Sequence, residues 1–206
     1  MIKKIRIILI VFIFHTGNIT NLLCDQNYKI DSLLKELNKW EKKSGYVADT
    51  MLYIINYKLG LQLRNSKPDT AIYYFKKSLH FAKKIKNQLK IIESMAELAR
   101  CYNLLGDFEK ALSESEQALK QFPKKTNKKN KIKMQKLYTY IIRIIGLTYT
   151  SIGSYQKALD YYYEAQKIDK KIGNKQGQAA NLGNIGLIYD LQGDYNKALE
   201  YYLKAL

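Results

Sequence analysis

Residues 181–206, NLGNIGLIYDLQGDYNKALEYYLKAL, contain a spaced set of small and aromatic residues: Gly186, Tyr189, Gly193, Tyr195, Ala198, Tyr202 and Ala205. Shifted back by 40 positions, the set returns as Gly146, Tyr149, Gly153, Tyr155, Ala158, Tyr162 and Ala165. A third copy stands further upstream as Ala99, Tyr102, Gly106, Phe108, Ala111, Ser115 and Ala118, with Ser in place of one aromatic. Ala71 and Phe75 precede Ala111 and Ser115 by another 40. The offset between the second and third copies is 47, so about seven residues are inserted there. Self-similarity at a fixed period signals a repeat architecture.

Each spacing has a physical reading. A small residue and a Tyr three positions later share one helix face. The small residue lets a neighbouring helix approach, and the ring fills the gap beside it. Gly106, Gly153 and Gly193 end their helices, where a left-handed backbone is cheap only for Gly. Ala111, Ala158 and Ala198 mark the close crossing of two antiparallel helices, and the aromatic four residues on continues the buried stripe.

These spacings predict an all-α chain: a solenoid in which antiparallel helix pairs stack into a right-handed superhelix, each pair stabilising the next. Tyr28–Lys43 is a preceding helix with Ile30, Leu33, Leu34, Leu37 and Trp40 on one face. Pairs follow at Val47–Arg64 with Pro68–Lys86, Leu89–Leu105 with Phe108–Phe122, Ile132–Ile152 with Tyr155–Ile172, and Gln176–Gln192 with Tyr195–Leu206. In domain terms, 1–24 is a signal peptide and 25–45 an N-terminal helix. An array of four pairs spans 46–206, at 46–86, 89–122, 131–172 and 176–206.

The quoted residues resemble the tetratricopeptide repeat family over about 46–206. Pro123 matches the family's closing proline, whereas Met95, Ile142 and Leu182 replace its usual Trp. The 40-residue period is similar to the long-helix subtype of kinesin light chains and bacterial signalling proteins. The resemblance implies a non-enzymatic scaffold whose concave side, lined by each pair's first helix, binds extended peptides or partner helices. Here that side would present Glu93, Glu97, Arg100, Arg143, Thr150, Asn184, Leu187 and Asp190. Asn184 could hold a ligand backbone or bond within its own turn. The family's terminal-carboxylate clamp of Lys, Asn and Arg is not reproduced as a set.

The amino terminus reads as an address. MIKKIR is a positive start, and Ile7–Phe14 is an apolar run too short to span a bilayer. The combination describes a secretory signal peptide with cleavage near Cys24–Asp25. Acylation of Cys24 as a lipid anchor is an alternative, although Leu23 is bulky for that motif. The product is expected outside the cytoplasm, periplasmic or extracytoplasmic.

The formal net charge is +17. Arg occurs only at 6, 64, 100 and 143, so Lys supplies the great majority of the 35 cations. Solvated lysine faces explain this better than nucleic-acid recognition, which favours bidentate Arg. Lys124–Lys136 holds seven Lys and no acid and could meet acidic protein, nucleic acid or lipid head groups. The preferred reading is an insert followed by the solvated start of a helix.

No catalytic set emerges. Cys101 reads as a small packed residue with no His near it in sequence, and His15 and His80 make no metal cluster. GNKQG at Gly173–Gly177 lacks a preceding strand and the Gly-Lys-Ser/Thr ending, so it reads as a helix–helix turn. One Tyr of each cluster (Tyr73–Tyr74, Tyr161–Tyr163, Tyr201–Tyr202) is assigned to the buried aromatic position. Glu93, Glu97, Asp160, Glu164 and Glu200 are placed on lysine-rich helix faces without a convergent acidic pair. No cofactor and no metal is expected.

The last helix would offer Leu199, Tyr202, Leu203 and Leu206 as an open apolar edge. The alternative explanations are a chain that is a fragment, a broken reading frame, or a partner or second copy that covers the edge. The leading function is an exported protein–protein interaction scaffold. The rivals are the sensor region of a membrane signalling protein, followed by a histidine kinase or helix-turn-helix regulator, and a basic nucleic-acid-binding module.

Overall fold

The computed structural model describes residues 25–123 and 128–206. The signal-peptide reading of 1–24, Cys24 included, and residues 124–127 of the lysine-rich insert lie outside the described residues. Nine α-helices occur among those described: α1 (25–41), α2 (Tyr46–Leu63), α3 (Pro68–Lys84), α4 (Gln88–Leu104), α5 (Phe108–Lys120), α6 (Lys128–Ile152), α7 (Tyr155–Lys171), α8 (Lys175–Leu191) and α9 (Tyr195–Ala205). They pack as the pairs α2–α3, α4–α5, α6–α7 and α8–α9, and each pair stacks on the next. The expected all-α solenoid is the fold the chain adopts. No helix among the described residues is long and apolar enough to cross a membrane.

Local chemistry sets the joints. Gly153 and Gly193 take φ of 84° and 81°, which a side chain resists. The following residue's N–H then reaches back, Ser154 to Tyr149 O and Asp194 to Tyr189 O, both at 2.9 Å. The same closure joins Asp107 N–H to Tyr102 O. In two of these joints the next residue also opens the following helix. Asp107 accepts from Lys110 N–H and Asp194 from Lys197 N–H, each at 3.2 Å. Pro68 sits at the start of α3, where its missing N–H costs nothing.

The core follows the repeat. Ala71, Ala99, Ala111, Ala158 and Ala198 are all buried. Ile92, Met95 and Ala96 of α4 pack with Ile141, Ile144 and Ile145 of α6. Leu159 and Tyr162 of α7 pack with Ile185 and Ile188 of α8. On α1, Leu37 is buried, and Ile30, Leu33, Leu34 and Trp40 pack with it against Leu52, Ile55 and Leu59 of α2. Leu199, Tyr202, Leu203 and Leu206 are exposed.

Three details differ from the sequence expectation. The ring beside Gly146 is that of Tyr162 from α7. Tyr149 instead lies partly exposed, stacked on Tyr161 at 5.7 Å, because a residue three positions along the same helix cannot reach over its own backbone. In the Tyr73–Tyr74 cluster the buried aromatic position belongs to neither tyrosine but to Phe75. Finally, α6 begins at Lys128 rather than Ile132. Lysine is a good helix former, and neither Pro nor Gly stands between 128 and 145 to stop the extra turn.

Candidate functional site

The inner helices α2, α4, α6 and α8 are the first members of their pairs, and one cavity of about 590 Å³ opens along them. Arg64, at the end of α2, starts its wall. Glu97 and Arg100 come from α4. Lys136, Tyr140, Arg143, Ile144 and Leu147 come from α6. Gln176, Gly177, Ala180 and Asn184 come from α8, with Asn174 from the turn before it. No outer helix contributes. The α6 residues are spaced by three, four and seven, so they form one helix face.

Two polar clusters build this wall. In the first, Glu97 accepts hydrogen bonds from Arg64 Nη1 at 2.5 Å and Tyr140 Oη at 3.1 Å. Burial opposes the Arg64 charge, but Glu97 and Tyr140 outweigh it and raise its pKa. Burial, then Glu97, pushes the Tyr140 phenol up, so it stays a donor. Glu97 is only 5% exposed, so it lies inside the wall, paired with an arginine and a tyrosine, rather than on a helix face among lysines. A buried carboxylate needs partners, and Arg64 and Tyr140 provide them.

The second cluster centres on Asp169, at the end of α7 and fully buried. Its carboxylate accepts from Thr139 Oγ1 at 2.9 Å, Asn174 Nδ2 at 2.7 Å and Asn181 Nδ2 at 3.0 Å, with Arg143 Nη1 at 3.4 Å. Arg143 Nη1 also donates to Asn181 Oδ1 at 2.8 Å and Gly177 O at 3.3 Å. Burial lowers the Arg143 pKa, and Asp169 opposes that shift. The cluster ties α6, α7 and α8 together beneath the cavity. Within GNKQG, Gly173 closes α7 and Asn174 turns into α8, while Gly177 lies inside the helix, its carbonyl turned to Arg143.

Of the groove residues expected from sequence, Glu97, Arg100, Arg143 and Asn184 line the cavity. Glu93, one turn earlier on α4, is held by Tyr53 Oη at 3.0 Å and Lys133 Nζ at 3.1 Å. Thr150, Leu187 and Asp190 do not line it. The Thr150 hydroxyl donates to Gly146 O and shares a hydrogen bond with Tyr162 Oη, so it faces its own pair partner. Leu187 and Asp190 are exposed further along α8. Arg64, Lys136, Tyr140 and Asp169 were absent from the sequence expectation. The spacing 136–140–143–147 is the signal that would have found the α6 members. Asp169, an acid among lysines, carries no such signal.

Cys101 is buried, and its thiol is pushed up to about 12 by that burial and then by Glu97. Among the described residues no group of His, Cys, Asp and Glu is placed to hold a metal.

A tetratricopeptide repeat profile matches residues 138–206, and a second one matches 93–125. No curated protein matches the chain. Solved structures with a similar fold include BtubC (BKLC) from P. vanneervenii, at 17% identity and TM-score 0.66, over 88% of this chain and 72% of that one. A putative kinesin light chain with nearly identical TPR-like repeats from Podosopora anserina aligns at 15% identity and TM-score 0.59, over 87% and 85%. A Rap protein complexed with competence and sporulation factor aligns at 16% identity and TM-score 0.64, over 86% of this chain and 49% of that one. The chain thus spans about half the length of that Rap protein.

Proposed function

From a chain that belongs to the tetratricopeptide repeat family, we propose an exported, non-enzymatic scaffold that receives a segment of another protein in the groove of its inner helices. The observation that carries this reading is the cavity itself. Four successive inner helices, or the residues that end and begin them, share one open wall, and their outer partners stay out of it. Side chains there present hydrogen-bonding groups over an apolar floor of Ile144, Leu147 and Ala180. Such a surface holds a ligand by shape and a few anchors, with no group poised for bond making.

The structure of a Rap protein complexed with competence and sporulation factor is a precedent for ligand binding on a similar fold. Export rests on the charged start and short apolar run of residues 1–14. The 40-residue spacing supports the long-helix subtype.

Site-specific photocrosslinking tests the groove. A benzophenone amino acid placed at Leu147 or Ala180 should form adducts with one defined protein in the native cell. The same group at Tyr73, on the outer helix α3, should not. Equal labelling from both faces, or none from the groove, rejects the reading. Export has a separate readout: a mature chain starting at Cys24 or Asp25 in the extracytoplasmic fraction supports it, and an uncleaved chain in the cytosol defeats it.

A further inference from the structure

Charge is unevenly divided between the two edges of the solenoid. The starts of α2, α4, α6 and α8 share one edge with the ends of α3, α5 and α7. Lys84 of α3 reaches Asp49 of α2 there, and Gln88 of α4 donates to Gln121 O just past α5. Exposed along this edge are Lys86, Lys120, Lys131, Lys170, Lys171 and Lys175. Among the described residues none of the six forms an ion pair. Of the acids on this edge, Asp49 is paired with Lys84, Glu93 with Lys133 and Asp169 with Arg143. On the opposite edge the signs are matched instead, Asp107 with Lys110 and Asp194 with Lys197.

Helix stability explains only part of this basic edge. A lysine in a last turn complements the helix dipole, as Lys170 and Lys171 do on α7. The first turns of α4, α6 and α8 hold no acid, and Lys90, Lys131 and Lys175 stand there against the dipole. An anionic surface outside the chain offsets that cost. Three large apolar side chains are exposed among the lysines, Tyr46 and Val47 at the start of α2 and Ile132 near the start of α6. Helix α6 has 25 residues against 17 in α8, and their ends agree to within one residue in the 40-residue period. The excess therefore lies at the start of α6, about 10 Å of helix beyond the register of α8. Ile132 stands on that extension.

We propose that this edge docks on an anionic lipid bilayer, its lysines on lipid phosphates and Tyr46, Val47 and Ile132 in the headgroup layer. The kind of cation and the apolar residues select this partner over a nucleic acid. Arg64, Arg100 and Arg143, the arginines among the described residues, all line the cavity, so the edge has no bidentate reader of bases. Val47 and Ile132 have no ring on which a base can stack, whereas a headgroup layer accepts both. The contact is independent of the groove reading.

The test is sedimentation of the full-length chain with vesicles of phosphatidylcholine, alone or with one third phosphatidylglycerol. Only the anionic vesicles should retain the protein, and added salt should release it. Lys170→Gln, Lys171→Gln and Lys175→Gln together should lower the partition coefficient by about a hundredfold. The matched triple Lys67→Gln, Lys157→Gln and Lys197→Gln, on the opposite edge, should lower it by no more than about threefold. A second readout separates the edge from any contact made by residues 1–24. In a Trp40→Phe background, Val47→Trp or Ile132→Trp should lose emission to brominated lipid, and Tyr195→Trp on the opposite edge should not.

Equal retention by neutral vesicles, equal loss from the two triple variants, or equal quenching at both edges overturns the proposal. So does the absence of binding to anionic vesicles, or a duplex oligonucleotide that binds more tightly than those vesicles at equal phosphate and salt.

Discussion

Gly146 of α6 lies flat against the ring of Tyr162 from α7, so closely that a Cβ on Gly146 would stand 2.6 Å from Tyr162 Cε1. The relationship recurs between Gly60 and Phe75, also at 2.6 Å, and between Gly186 and Tyr202 at 2.8 Å. The pairs α2–α3, α6–α7 and α8–α9 are thus each closed by a ring on bare backbone. Gly146→Ala should destabilise the fold by about 1–3 kcal/mol through overpacking. Adding Tyr162→Leu should recover part of that loss. Urea denaturation of the single and double variants checks both, and strictly additive losses would count against the contact.

The α4–α5 pair solves the same problem differently. It has Ala99 where the others have Gly, and Ser115 where they have a ring, and both are buried. The Ser115 hydroxyl turns inward to donate to Ala111 O at 2.8 Å. Size is exchanged across the contact, so the two positions should be coupled. Ser115→Tyr alone should destabilise by about 1–3 kcal/mol. In the Ala99→Gly background the same change should cost less, giving a coupling energy of about 0.5 kcal/mol or more in a double-mutant cycle.

Lys86 stands just past α3 with φ of 52°, in the left-handed region that Gly106, Gly153, Gly173 and Gly193 occupy at their joints. Its N–H bonds Lys83 O, and the N–H of Asn87 bonds Ala82 O, each at 3.0 Å. Relief of the left-handed strain is about 1 kcal/mol, whereas the added freedom of Gly in the unfolded chain costs about 0.5 kcal/mol. Lys86→Gly should therefore raise the melting temperature by a small amount, and a scanning calorimeter would register a fall if the strain were absent.

Removing the buried acid should be far more damaging. Asp169→Ala leaves Arg143, Thr139, Asn174 and Asn181 without their shared acceptor. Breaking a buried pair from one side costs about 3–5 kcal/mol. The expected result is a lower denaturation midpoint with early loss of amide protection in α6, α7 and α8, and amide exchange resolved along the chain would show it. Loss confined to α9 would contradict this role.

Cys101 sets an alkaline limit. Its folded thiol titrates near 12, above the ordinary 9.0, because burial disfavours the thiolate. A raised acid pKa gives stability that is complete below about 9 and declines as pH climbs from 9 towards 12. In a Cys24→Ser background the chain should lose stability over that window, and Cys101→Ala should flatten the loss. Alkylation at pH 8 should be slow in the native state and follow unfolding in urea. Rapid labelling of the folded protein would refute the burial argument.

The sequence alone determined the helical class, the pairing of helices and the positions of their joints. Gly–Asp at 106–107 and 193–194, and the returning Ala and Tyr, act through backbone geometry and local spacing, which a linear chain displays. Only the tertiary structure decided which ring covers which glycine, and that Glu97 is neutralised by Arg64. The same holds for the assembly of one polar network around Asp169 by residues from three helices. Those contacts join residues 12 to 38 positions apart, and their energies depend on burial and mutual orientation, which exist only once the pairs have stacked.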